Sequence, residues 1–79
     1  MRLQNFSGVV LSPLNGVTVR QFAAGMNNLL GGGTFFIPFR HFTYHAANIP
    51  VLDSILQSIN SSYFGGTASA FATNNLAVP

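Results

Sequence analysis

Four side chains in this 79-residue chain carry a fixed charge: Arg2, Arg20, Arg40 and Asp53. That scarcity constrains the fold more than any motif does. Charged residues are 5% of the total, where an ordinary soluble domain has roughly 25%. Asn, Gln, Ser, Thr and Gly take their place, while the hydrophobic share is an ordinary 48% and the mean hydropathy is +0.39. Such a chain lacks the mixed ionic surface that keeps monomers apart. It also lacks cysteine, so neither disulfides nor thiolate metal sites can staple a domain this small. Both facts are reconciled if partners cover much of the surface, and an oligomer or larger assembly is expected.

The same balance excludes several classes. The net charge of +2 and a pI near 10.0 rest on three arginines spread along the sequence, with no lysine beside them. Nucleic-acid affinity scales with the number of clustered cations that displace counterions, so no nucleic-acid partner is expected. No window approaches the ~18 consecutive apolar residues of a membrane-spanning helix. Near the start, Gln4, Asn5, Ser7 and Gly8 interrupt any signal-peptide core. A leaderless, unsecreted start is the expectation.

Along the chain, residues 6–11 (FSGVVL) read as a short strand weakened by Gly8. Residues 12–16 (SPLNG) follow as turn chemistry, because proline presets one dihedral and Asn-Gly tolerates positive φ. Thr18 and Gln21 match a capping box. Val19, Phe22, Ala23, Met26, Leu29 and Leu30 then repeat at helical spacing, so the pattern predicts a helix over 18–30 with Gly31 as its left-handed cap. Gly25 inside it costs roughly 1 kcal/mol relative to Ala and is a candidate for close packing. After the hinge of Gly31, Gly32 and Gly33, residues 34–44 (TFFIPFRHFTY) are dense in aromatic and β-branched side chains, which favours strand. Pro38 marks an edge, a bulge or a break between two short strands. Both faces are apolar, so this stretch is either buried from two sides or buried on one and covered by a partner on the other.

A second helix is signalled by Asn48 as cap and Pro50 in the first turn. Leu52, Ile55, Leu56, Ile59 and Tyr63 form its stripe, and Asp53 is expected near the positive end of its dipole. Residues 60–62 fray it and Gly65 with Gly66 stop it. Residues 67–79 (TASAFATNNLAVP) are free of charge and read as an extended or flexible C-terminal arm beyond a single small domain of residues 1–66. No internal repeat is present.

Candidate chemistry is sparse. His41 and His45 have the H-x-x-x-H spacing of a helical zinc pair, but in an extended run their Cα atoms stand ~13 Å apart. They read as structural or interfacial, with an inter-subunit metal or a pH-responsive contact as the sharper alternatives; no metal or other cofactor is expected. A lone Asp53 rules out paired-carboxylate catalysis within one chain. No serine sits in a G-x-S-x-G elbow, and the triple glycine lacks the G-K-[ST] of a phosphate loop. No enzyme and no small-molecule substrate are expected. Arg40, flanked by Phe39, His41 and Phe42, has the surroundings to stack on a base or a sugar, but packing against a ring or pairing with Asp53 is the expectation.

The fold expected is α+β: two short amphipathic helices packed on a small sheet, with extended terminal arms. The function expected is a structural assembly subunit acting by apolar burial against neighbouring protein subunits. Its setting would be a virus or phage particle, as a capsid-associated, cementing or tail-connecting protein; otherwise the chain would be cytoplasmic. Phe35, Phe36, Phe39, Phe42, Tyr44 and Phe71 are the candidate interface anchors, because aromatics dominate binding hot spots. The alternative is a small membrane-associated amphipathic protein, although the polar helix faces lack the cations that meet anionic lipid.

Overall fold

The computed structural model describes residues 1–64 and 67–77. Its elements run β1 (Arg2–Leu3), α1 (Val19–Leu30), β2 (Phe35–Ile37), β3 (Phe42–Tyr44), α2 (Ile49–Asn60), β4 (Tyr63–Phe64), β5 (Thr67–Ala68), α3 (Ala70–Asn75) and β6 (Leu76–Ala77). The architecture is α+β. The strands pair as three two-stranded antiparallel ladders, β1 with β6, β2 with β3 and β4 with β5.

Helix α1 starts where the sequence places it. Thr18 Oγ1 accepts from the Gln21 amide at 3.0 Å, and Gln21 Oε1 accepts from the Thr18 amide at 3.0 Å. This capping box satisfies two otherwise orphaned donors. The helix end departs from expectation by one residue: Gly31 keeps φ at −83° while Gly32 takes the left-handed φ of +96°. The Gly32 amide donates to Leu29 O at 3.1 Å and the Gly33 amide to Asn28 O at 2.8 Å. Those are the two bonds of a Schellman cap, and a run of three glycines lets the left-handed position move one step along.

The aromatic run breaks at Pro38 into β2 and β3, with Phe35 opposite Tyr44, Phe36 opposite Thr43 and Ile37 opposite Phe42. A 3-10 turn over Pro38–Arg40 and a left-handed His41 (φ 49°) make the connection. Proline suits the start of that turn because its φ is preset and its missing N–H removes no ladder bond. The two-residue period then places Phe35, Ile37 and Tyr44 in the core and Phe36 outside. Gly25 of α1 allows the helix onto this hairpin: a Cβ there would lie 2.3–2.5 Å from the Phe35 ring.

In α2, Leu52 and Ile55 are buried, and Leu56 and Ile59 pack partly buried against the core. Pro50 lies in the first turn and Asn48 takes the N-cap position, but its side chain makes no capping bond to the helix. Its Oδ1 instead accepts from the His45 amide at 3.0 Å, closing the 3-10 turn over Ala46–Asn48. Asp53 stands beyond the first turn and accepts from Gln57 Nε2 at 2.8 Å. The helix ends on Ser61. Gly65 and Gly66, expected to stop it, lie outside the described residues, as does the side chain of Tyr63.

The termini differ most from expectation. Residues 6–11 form no strand, because Asn5 (φ 62°) and Gly8 (φ +92°) turn the chain away from extended geometry. The Asn15 carboxamide bonds both Phe6 backbone groups, accepting at 2.8 Å and donating at 2.9 Å. The strand lies earlier, at β1. Its Leu3 faces Leu76 across the ladder and, on the other side, donates to Val17 O and accepts from the Gly16 amide, both at 2.8 Å. At the other end, the described residues past 66 fold back in place of an extended arm. Ser69 Oγ caps α3 by accepting from the Ala72 amide at 3.1 Å, and Ala72 and Leu76 are buried in the core.

Candidate functional site

The six candidate anchors separate by burial. Phe35 is 4% exposed and Tyr44 not at all, so both are corrected from interface anchors to core residues. They are consumed by the chain's own packing: the Phe35 ring meets Phe22 edge-on at 5.9 Å and Tyr44 at 5.6 Å. The Tyr44 hydroxyl donates to Val10 O, and burial pushes its phenol up to about 12. Phe42 and Phe71 are partly buried against the core, with Phe42 4.8 Å from Tyr44 and Phe71 6.3 Å from Phe6. Phe36 and Phe39 remain, 54% and 55% exposed.

These two phenylalanines line one groove. It holds about 420 Å³ between α1 and the segment 34–39, with Val17, Ala24 and Ile37 supplying further apolar surface and Gln21 and Asn28 supplying carboxamides. On α1 the lining positions 21, 24, 25 and 28 fall on one flank of the buried stripe, as the helical repeat requires. Sequence reasoning missed the groove as a site. Its signal was present in that small and polar flank beside the stripe, facing an aromatic strand.

Outside the groove's lining, two arginines are held on the turn next to Phe39. Arg40 Cζ lies 5.3 Å from the centroid of the Phe39 ring, within cation–π range. Arg40 Nη2 donates to Asn15 O at 2.8 Å and Arg2 Nη1 donates to Gly16 O at 2.7 Å. Gly16 itself faces the Phe39 ring, which stands 3.7–3.8 Å from where a Cβ would be. Cations 38 positions apart in sequence are thus held on consecutive carbonyls of one turn. The pairing of Arg40 with Asp53 is not formed; the Asp53 carboxylate accepts from Gln57.

His41 and His45 flank β3 and are both exposed. Among the described residues no three His, Cys, Asp or Glu side chains come together in a metal-binding group, and no helix is long and apolar enough to cross a membrane. Compared with protein-family models, curated proteins and solved structures, the chain matches none.

Proposed function

We propose that this chain is a structural assembly subunit that docks against neighbouring protein by covering the groove between α1 and β2. The observation that carries this reading is the exposure of Phe36 and Phe39, both lining one groove, while every other phenylalanine with a described side chain is buried or partly buried. Each still presents roughly 100 Å² to solvent, worth about 25 cal/mol per Å² when removed from water. A specific interface takes roughly 800 Å² from each partner, about a sixth of the 4804 Å² this chain exposes. The near absence of charge supports the same reading, since close-packed copies would meet little like-charge repulsion. A particle built from many subunits, such as that of a virus or phage, is the setting proposed.

The test separates folding from association. Phe36→Ser and Phe39→Ser together should change thermal stability little, because neither ring belongs to the core. The same pair should abolish concentration-dependent association and raise solubility. Association that persists undiminished in the folded double variant would reject the groove as the docking surface.

A further inference from the structure

We infer that the groove is filled by β2 of a second copy of this chain, paired antiparallel with β2 about a two-fold axis at Phe36. This rests on the assembly reading above and names the contact that makes it. A groove on the face of a strand touches every second residue. This one is lined by all six residues from 34 to 39 and by none of β3, so it runs along the edge of β2 that β3 leaves open. On that edge alternate backbone N–H and C=O groups point away from the ladder. Among the described residues no hydrogen bond from another element reaches them. Across the groove stand Gln21, Ala24 and Asn28, exposed positions on one flank of α1. An open strand edge is a template for another strand unless charge, proline or a bulge blunts it. Here no charged residue lies between Arg20 and Arg40, and Pro38 comes only after the strand has ended.

The same edge suits a copy of itself, because two identical antiparallel strands are related by a two-fold axis and one surface serves both. Using the whole of β2 sets the register: Phe36 meets its counterpart, and Phe35 meets Ile37 of the second copy. Buried side chains then stay on the inner face, and the two exposed Phe36 side chains stand together on the outer one, with Cβ atoms about 5 Å apart. No like charges oppose one another, since the span from 21 to 39 is uncharged and the two Arg40 lie beyond opposite ends of the paired strands. The groove's lining is roughly half of the 20–30 residues a side that bury a standard 800 Å². That is the size of a weak, reversible dimer. It closes at two copies, so a larger assembly adds other contacts to it.

The test mixes isotope-labelled and unlabelled copies of the whole chain at millimolar concentration and reads contacts between copies by filtered nuclear Overhauser spectra. Contacts should join Phe36 to Phe36 and residue 35 to residue 37, and amide exchange at 34–37 should slow as concentration rises. Cross-linking gives a second reading, because the chain has no cysteine of its own. Phe36→Cys should form a disulfide dimer about tenfold faster than Phe39→Cys, since only at the axis does pairing hold the two introduced thiols within reach. Equal rates at 36 and 39, or contacts from 34–39 to any part of the second copy other than β2, would overturn the inference. Protection of 34–37 that requires a different protein would overturn it as well. If association still depends on Phe36 and Phe39 in either case, the assembly reading stands and only the strand pairing falls. A chain that is monomeric even at millimolar concentration would remove both.

Discussion

At the scale of single residues, polar side chains in this chain do structural work that charges do elsewhere. Asn15 is the clearest case, since its carboxamide closes both backbone groups of Phe6 while its carbonyl holds Arg40. Replacing it by Ala strands a donor and an acceptor, and a loss of about 1–3 kcal/mol is expected in denaturant unfolding. Gly25→Ala should destabilise for the opposite reason. The gain in helix propensity is about 1 kcal/mol, but the new methyl would stand 2.3–2.5 Å from the buried Phe35 ring, an overpacking that costs about 1–3 kcal/mol or more. A variant as stable as the parent would show that the helix can lift off the hairpin freely. Tyr44 supplies a pH prediction. Its phenol holds the proton up to about 12 in the folded chain and to about 10 when unfolded. The folded value is raised, so this contribution is complete below pH 10 and is lost as pH climbs from 10 toward 12. Discounted for solvent screening, it amounts to about 1–2 kcal/mol. Alkaline unfolding of Tyr44→Phe should lack that slope, and an unchanged profile would contradict the burial of the hydroxyl.

At the scale of elements, what was legible in the sequence was what neighbours in sequence decide. Thr18 with Gln21, the stripe from Phe22 to Leu29 and the break at Pro38 are local signals, and each sets an element in the structure. The misread parts depend on contacts between distant residues. Leu3 pairs with Leu76 and with the 16–17 turn at once, a match that no window of adjacent residues contains. The same holds for the tail, where Ser69, Ala72 and Leu76 carry a cap and two buried contacts within a stretch that looks featureless. Truncating the chain before Ser69 should therefore unfold the N-terminal strand as well. Amide exchange at Leu3 and Gln4 would report it, the latter through its bond to Asn75 O at 3.0 Å. Protection that survives truncation would restore the reading of an extended or flexible arm.

At the scale of the whole molecule, the candidate site was half readable. Aromatic density pointed to residues 35–44, yet burial, which decides whether a ring meets a partner or the core, depends on which strand face α1 covers. Period two assigns Phe35 inward and Phe36 outward only once that face is known. The convergence of Arg2 and Arg40 on one turn was likewise invisible, because the chain between them includes a helix and a strand. What composition did convey is the shortage of charge, and the structure leaves Phe36 and Phe39 exposed. Sedimentation velocity of the purified chain over a hundredfold range of concentration, at low and at high salt, tests that account most directly. Association that grows with concentration and survives high salt is predicted, because apolar contact and few ion pairs would hold it. A single species at monomer mass across the whole range, salt or no salt, would contradict it.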